Sequence, residues 1–239
     1  MKLVLSSPLT IGLLLISGLI QGCTTVTIDQ ARMTSVGVTT TLTEGKSIVV
    51  VGRRSGSDYE TEPDLISCLG KELGKGKTSI KVIPEDVFVD QLYPWFEPRT
   101  APIRVNDLFR LLEFEELAKA TAALDMEYLI WVDGSTQTTN KSGEITCALG
   151  VGGISCFGFG SWDKKADYEA TIWDYSKRKL VGKISGTADG TTYIPAIVIP
   201  IPIIAPVQAD VCKGMGKQLR TFFNVNPEPS TSKAKVKAS

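Results

Sequence analysis

Histidine is missing altogether from the 239 residues of this chain. Histidine is the most frequent general base in enzymes and the most frequent metal ligand among side chains. Its absence excludes Ser-His-Asp triads, Cys-His pairs and imidazole metal sites. Carboxylates, lysines, tyrosines and thiols could still catalyse a reaction, but they form no complete catalytic set along the sequence. We therefore predict that the protein is not an enzyme.

An excess of charge of one sign is also missing. The chain carries 26 basic and 26 acidic residues, and its 43% hydrophobic and 22% charged content is that of an ordinary globular protein. A nucleic-acid-binding domain would be basic. There is no CxxC pair, and the spacing of Cys147 and Cys156 fits no zinc motif. We predict no metal, no cofactor and no nucleic-acid partner, and we identify no small-molecule substrate.

A transmembrane helix is lacking too, because residues 9–20 form an apolar run shorter than the roughly 17–25 residues that a spanning helix needs. The run has the length of a signal-peptide core and follows a short segment that carries Lys2. It ends at Gly22-Cys23, and the segment from Ile20 to Cys23 resembles the lipobox of bacterial lipoproteins. The alternative is a chance cysteine after an ordinary signal peptide.

The lipobox resemblance implies that residues 1–22 are a signal peptide and that Cys23 carries the lipid. The Thr24 that follows resembles the pattern of lipoproteins sent to the outer membrane. The implied location is the cell envelope, as an outer-membrane lipoprotein that faces the periplasm. The acyl chains on Cys23 would then anchor the protein in that membrane.

Composition along the mature chain predicts three segments. Residues 23–45 are rich in threonine and predict a tether, with a short edge strand at 34–42. Residues 46–225 contain the periodic patterns of a single domain, and 226–239 lack large apolar residues other than one valine, which predicts a disordered tail.

The domain reads as alternating strands and helices, followed by a run of strands and a last helix. The patterns predict strands at 48–51, 79–83, 128–132, 144–159, 167–173 and 179–187, and helices at 63–73, 107–124 and 206–223, with a short helix or turn at 84–92. Asn106 is the predicted N-cap of the long helix. The fold class is α/β (α+β): a three-layer sandwich whose mixed sheet has an antiparallel meander and helices on both faces.

This element order, the lipobox and the segments YLIWVDG (128–134) and YEATIWDYSKRKLVG (168–182) resemble a known α/β domain. It is shared by the N-terminal part of TolB, the curli secretion lipoprotein CsgG and the penicillin-binding-protein activator LpoB. Cys-Phe-Gly-Phe and Gly-Thr-x-Tyr-x-Pro segments also resemble uncharacterised proteobacterial lipoproteins. The resemblance implies a non-catalytic domain that binds or regulates an envelope, cell-wall or secretion partner.

Two other functions stay open. One is a periplasmic hydrolase that uses carboxylates, for which the candidates are Glu113, Glu115 and Glu116 on the long helix and Asp163, Asp167 and Glu169 near a hairpin. The other is a CsgG-like secretion component, against which the sequence shows no long amphipathic hairpin.

Four cysteines remain after lipidation, and an even number in an exported chain favours disulfides. A hairpin centred between Val151 and Gly152 would place Cys147 opposite Cys156. Elimination then pairs Cys68 with Cys212, which requires the first and last helices to pack on the same side of the sheet. The alternative is four reduced, buried thiols.

Two loops are candidates for partner contact. The segment 93–98 holds Tyr93, Trp95 and Phe96, which could anchor an interface or fold back onto the domain. Arg53 and Arg54 follow the first buried strand, where open α/β sheets bind ligands, and could hold an anion or belong to a plain surface loop.

An uncharged strip at 193–206 contains four prolines, which we read as excluding both a helix and a central strand. It could contact a membrane or a partner, or it could be an extended crossover buried under the last helix.

Overall fold

A computed structural model of the chain describes residues 24–32, 42–54, 60–75, 80–97, 99–150, 153–200 and 203–223. The strands in these ranges are β1 (Thr24–Arg32), β2 (Ser47–Gly52), β3 (Lys81–Ile83), β4 (Met126–Gly150), β5 (Gly153–Asp174) and β6 (Lys179–Pro200). The helices are α1 (Pro63–Leu73), α2 (Glu85–Asp90), α3 (Val105–Leu111), α4 (Glu115–Ala122) and α5 (Val207–Phe222). None of these described helices is both long and apolar enough to cross a membrane.

All six strands join one mixed sheet in the order β1-β6-β5-β4-β2-β3. Strand β2 runs parallel to both of its neighbours, with Val49 opposite Ile83 on β3 and opposite Leu129 on β4. Only two residues separate β4 from β5 and four separate β5 from β6. Such short links join antiparallel neighbours, so the three strands form the predicted meander. The predicted α/β fold class is confirmed.

The chain divides into two compact units, and β4, β5 and β6 contribute residues to both. Unit 1 contains residues 1–26, 136–166 and 188–210, and unit 2 contains 27–135, 167–187 and 211–239.

Helices cover both faces of the sheet in unit 2. On one face, Val49 and Val51 of β2 join a buried cluster with Phe88 of α2 and Leu108 of α3. On the other face, a Cβ atom at Gly52 would meet Ile66 of α1 at 3.0 Å. The ring of Tyr128 on β4 lies 5.0 Å from that of Phe223, next to α5, and the adjacent Leu129 belongs to the opposite cluster. Because alternate residues of β2 and β4 point to opposite faces of the sheet, the two strands contribute side chains to the packing on both faces.

The long helix predicted at 107–124 is wrong, because the chain breaks between α3 and α4, and Arg104 rather than Asn106 is the N-cap. The buried positions explain the break. Leu108 and Leu112 are buried, and so are Leu117 and Thr121. At 3.6 residues per turn, a continuous helix would place the second pair about 180° from the first. The break between α3 and α4 allows both pairs of side chains to be buried.

The strands of the meander are longer than the sequence predicts, since β4 has 25 residues and β5 has 22. The glycines do not interrupt them. Gly143 has φ +87°, and a Cβ atom there would lie 2.1 Å from the carbonyl oxygen of Phe159. Gly158 has φ +142° and faces the carbonyl oxygen of Glu144 in the same way, at 2.2 Å. Glycine at these positions allows the two backbones to approach closely.

The exclusion of a central strand from the proline-rich strip is also wrong, because β6 lies between β1 and β5 and continues to Pro200. A proline removes only its own N–H from the ladder. Tyr193 still exchanges two backbone hydrogen bonds with Ile203, at 3.0 and 2.7 Å, after the chain reverses.

Several predictions fall partly or wholly outside the described residues. The signal peptide 1–22, Cys23 and the tail 226–239 lie there, and so does the edge strand expected at 34–42, apart from Leu42. Within the range predicted as a tether, the structure contains β1 at the edge of the sheet.

Candidate functional site

Both predicted disulfides are present. Cys68 on α1 bonds to Cys212 on α5, with their Cα atoms 6.2 Å apart, so the two helices pack side by side as expected. Cys147 and Cys156 bond across the β4–β5 hairpin, with Cα atoms 4.1 Å apart. The cysteines are therefore structural in this chain, and none of these four is a free thiol.

The turn after α2 presents two of the three predicted contact residues to solvent. Phe96 is only 1% exposed and meets the ring of Phe88 edge-on, at 6.4 Å between centroids, while Leu92 is fully buried. These two anchors hold the turn, and the Trp95 N–H donates to the carbonyl of Leu92 at 2.7 Å. As a result Tyr93 is 70% exposed and Trp95 is 47% exposed. Phe96 belongs to the core and is not available to a partner in this conformation.

Sequence reasoning missed the residue that completes this surface, Phe114. It lies at the N-cap of α4, is 57% exposed, and stacks on Trp95 with centroids 6.0 Å apart and planes 13° from parallel. A continuous helix over 107–124 would place Phe114 on one face with Leu111 and Ala118, toward the core. The out-of-phase positions of Leu112 and Leu117 were the signal that could have revealed a turn there.

The stacked rings border a cleft of about 510 Å³, which we call the aromatic cleft. It is lined by Trp95, Phe114, Glu115, Glu116, Leu117 and Lys119. Glu115 pairs with Lys119 along α4, and nearby in sequence Glu113 pairs with Arg178 at 3.0 Å. The cleft therefore combines exposed aromatic rings, which are enriched in protein–protein interfaces, with charged groups along α4.

The two arginines after β2 do not act as free cations. Arg53 donates to Asp133 at 2.8 Å, and Arg54 lies 3.5 Å from Glu85. Glu85 also accepts the N–H of Gly52 at 2.8 Å. Arg54 and Glu85 line a second cleft, of about 560 Å³, at the carboxyl ends of β2 and β3. Because each guanidinium faces a carboxylate, the pair contributes little net positive charge to a ligand at this edge.

The carboxylates considered for hydrolysis are not brought together as an acid–base pair among the contacts of the described residues. Glu113, Glu115 and Glu169 each pair with a basic side chain. Hydrogen bonds from Thr191 at 2.7 Å and Asn140 at 3.1 Å hold the pKa of Asp163 below its usual value. No cluster of three or more potential metal ligands occurs in the ranges that the structure describes.

Comparisons with known proteins add little. No family model matches the chain, and no curated protein matches it. Among solved structures the chain is similar to the PelC dodecamer from Paraburkholderia phytofirmans, with 12% identity, a TM-score of 0.39 and coverage of 85% of this chain and 100% of that one. A variant of the same dodecamer gives 12% identity, a TM-score of 0.39 and coverage of 84% and 100%. A likeness of this strength carries no argument about fold or function.

Proposed function

We propose that this chain is a lipid-anchored outer-membrane lipoprotein whose periplasmic α/β domain binds an envelope protein without catalysing a reaction. The lipobox at Cys23 supports the anchor. The observation that carries the binding role is the stacked pair of Trp95 and Phe114, two large rings that stay about half exposed.

Exposed aromatic pairs of this kind suit protein recognition for two reasons. Large rings bury much apolar area at a small entropic cost, and tryptophan is enriched among residues that dominate binding energy. Here the buried Leu92 and Phe96 hold the Trp95 turn before a partner arrives. A partner therefore meets a preformed surface and does not have to order it.

The experiment tests the anchor and the contact in the same cells. A photo-crosslinking phenylalanine analogue at position 114 should yield a discrete adduct in the envelope fraction, and Trp95→Ala should abolish that adduct. The matched control is Ile103→Ala, since Ile103 is exposed but does not line the aromatic cleft. Adduct formation that survives Trp95→Ala would contradict the binding role.

The anchor has its own readout. Cys23→Ala should release the protein into the soluble periplasm or leave an uncleaved precursor. Unchanged recovery of processed protein with the membranes would contradict lipidation. The second candidate, a secretion component, is favoured by the length of the β4–β5 hairpin, whose strands have 25 and 22 residues.

A further inference from the structure

We propose that unit 1 contacts the surface of a lipid bilayer through exposed apolar side chains at the end of the β4–β5 hairpin and beside it. These side chains, which we call the apolar surface, are Leu149, Ile154, Phe157, Phe159, Tyr193 and Ile204. The proposal rests on the proposed function in one respect, since the membrane it names is the one that holds the acyl chains of Cys23.

The first observation is the lack of charge. Residues 145–162 and 190–209 contain no Asp, Glu, Lys or Arg, in a chain with 52 charged residues, 26 of each sign. The two stretches lie far apart in sequence, yet all of their residues belong to unit 1. The rings of Phe159 and Tyr193, 5.9 Å apart, bring them into contact. A soluble surface normally intersperses charges, so such an uncharged region indicates an apolar environment.

The second observation is that the hairpin exposes apolar groups on both of its faces. Alternate residues of a strand share a face, so the three-residue spacing puts Ile154 and Phe157 on opposite faces. Leu149, at the end of β4, is 84% exposed, and Phe157 is 59% exposed. A protein partner would cover one face of a hairpin, whereas lipid surrounds a tip on both faces.

The third observation concerns what limits the uncharged region. Trp162 is its last residue on β5 and is half-buried, and Asp163 follows it directly. Tyr193 occupies a similar position in the second stretch, close to Asp189. Tryptophan and tyrosine are enriched at the level of lipid headgroups, where one part of the ring is apolar and the other is wet. These rings therefore mark the end of the uncharged region that borders the charged residues.

The fourth observation is the position of the anchor. Strand β1 begins at Thr24, the residue after Cys23, and Thr24–Val26 belong to unit 1. No spacer therefore separates the lipidated cysteine from this unit, and the bilayer lies against it. The Cys147–Cys156 bond fixes the ends of β4 and β5 to each other, so these strand ends lose less entropy on binding lipid.

The test uses the full mature chain with Cys23→Ala, which carries no lipid, and vesicles of phosphatidylethanolamine and phosphatidylglycerol. The chain should float with the vesicles. Leu149→Ser/Ile154→Ser/Phe157→Ser should reduce the partition coefficient at least tenfold, because it removes three large apolar groups. The control is Val87→Ser/Ile103→Ser, which changes exposed apolar residues of unit 2 and should bind as before.

A second measurement does not depend on the folding of the triple variant. Brominated lipids should quench part of the tryptophan emission of the Cys23→Ala chain, and Trp162→Phe should remove that part. Flotation that is equal for the triple variant and the control, no flotation at all, or quenching unaffected by Trp162→Phe would each overturn the proposal. Self-association or protein crosslinking that depends on Leu149 without vesicle binding would also overturn it, in favour of a protein interface.

The proposed lipid anchor is tested by a separate measurement. The mass of the N-terminal peptide of the unaltered protein reports acylation of Cys23. Acylation without vesicle binding by the unlipidated chain overturns the apolar contact alone. Vesicle binding without acylation overturns the anchor and supports the contact.

Discussion

Removal of the Cys68–Cys212 disulfide should destabilise the protein more than removal of the Cys147–Cys156 disulfide. The bond joins residues 144 apart in sequence, whereas Cys147 and Cys156 are 9 apart. In the chain-entropy model these separations correspond to about 5 kcal/mol and about 2.5 kcal/mol of unfolding free energy. The loss of unfolding free energy should therefore be about twice as large for Cys68→Ala/Cys212→Ala as for Cys147→Ala/Cys156→Ala.

The folded state should tolerate the first change, because α1 and α5 keep other contacts. Arg220 of α5 donates to the carbonyl of Leu73 at 3.0 Å. Gly216 lies so close to α1 that a Cβ atom there would be 2.5 Å from the Cβ of Glu72. The loss of stability therefore arises mainly in the unfolded chain, which gains freedom when the long loop opens.

Urea unfolding of the oxidised proteins, followed by circular dichroism, measures the unfolding free energy in water and its dependence on the urea concentration. The free energy in water should fall as stated, and the dependence on urea should steepen for Cys68→Ala/Cys212→Ala because its unfolded state exposes more surface. Equal losses from the two pairs, or a larger loss from the short loop, would refute the reasoning from loop length.

Two further predictions concern packing and pH. Gly186→Ala would place a Cβ atom 2.8 Å from Cγ of Met215 and 2.9 Å from Cγ1 of Val211, so β6 and α5 must separate. The free energy of unfolding should therefore fall by about 1–3 kcal/mol, and the melting temperature should fall with it. Gly150→Ala adds a Cβ atom that has nothing within 4 Å and should leave the melting temperature nearly unchanged, so equal effects of the two substitutions would contradict the packing argument. Burial, followed by the charges of Glu127 and Asp174, raises the pKa of Tyr128 to about 12, so the fold favours the neutral phenol and the unfolding free energy should fall as pH rises from about 10 towards 12. Tyr128→Phe should make that fall shallower in urea titrations across the same range, and an unchanged slope would assign the pH dependence to other groups.

The parts of the fold that the sequence predicts are those with a strong local signal. The β-branched residues 48–51 predict a strand, and Pro63 and Gly74 mark the two ends of α1. The arithmetic of the hairpin gave the Cys147–Cys156 bond, and elimination gave Cys68–Cys212. Each of these inferences needs only residues close in sequence or a small set of pairings.

The parts that were missed depend on contacts between distant residues. Whether Phe114 is buried depends on where α3 stops, and the core positions Leu112 and Leu117 decide that. Gly134 has φ +126° and lies within β4. The backbone of Asp167 and Tyr168 leaves no room for a side chain there, so the strand continues through this position because the residue is glycine. From the sequence alone the same glycine reads as the end of a strand. Of the two rings that border the aromatic cleft, the sequence therefore identified only Trp95.

The order of the strands has a consequence for how the chain reaches its final form. Synthesis proceeds from the N-terminus, so β1 is the first described strand to emerge, yet its neighbour in the sheet is β6, the last. Until β6 is complete, β1 has no strand to pair with, and β5 has only one. A chain that stops early would leave both edges open to pairing with other molecules.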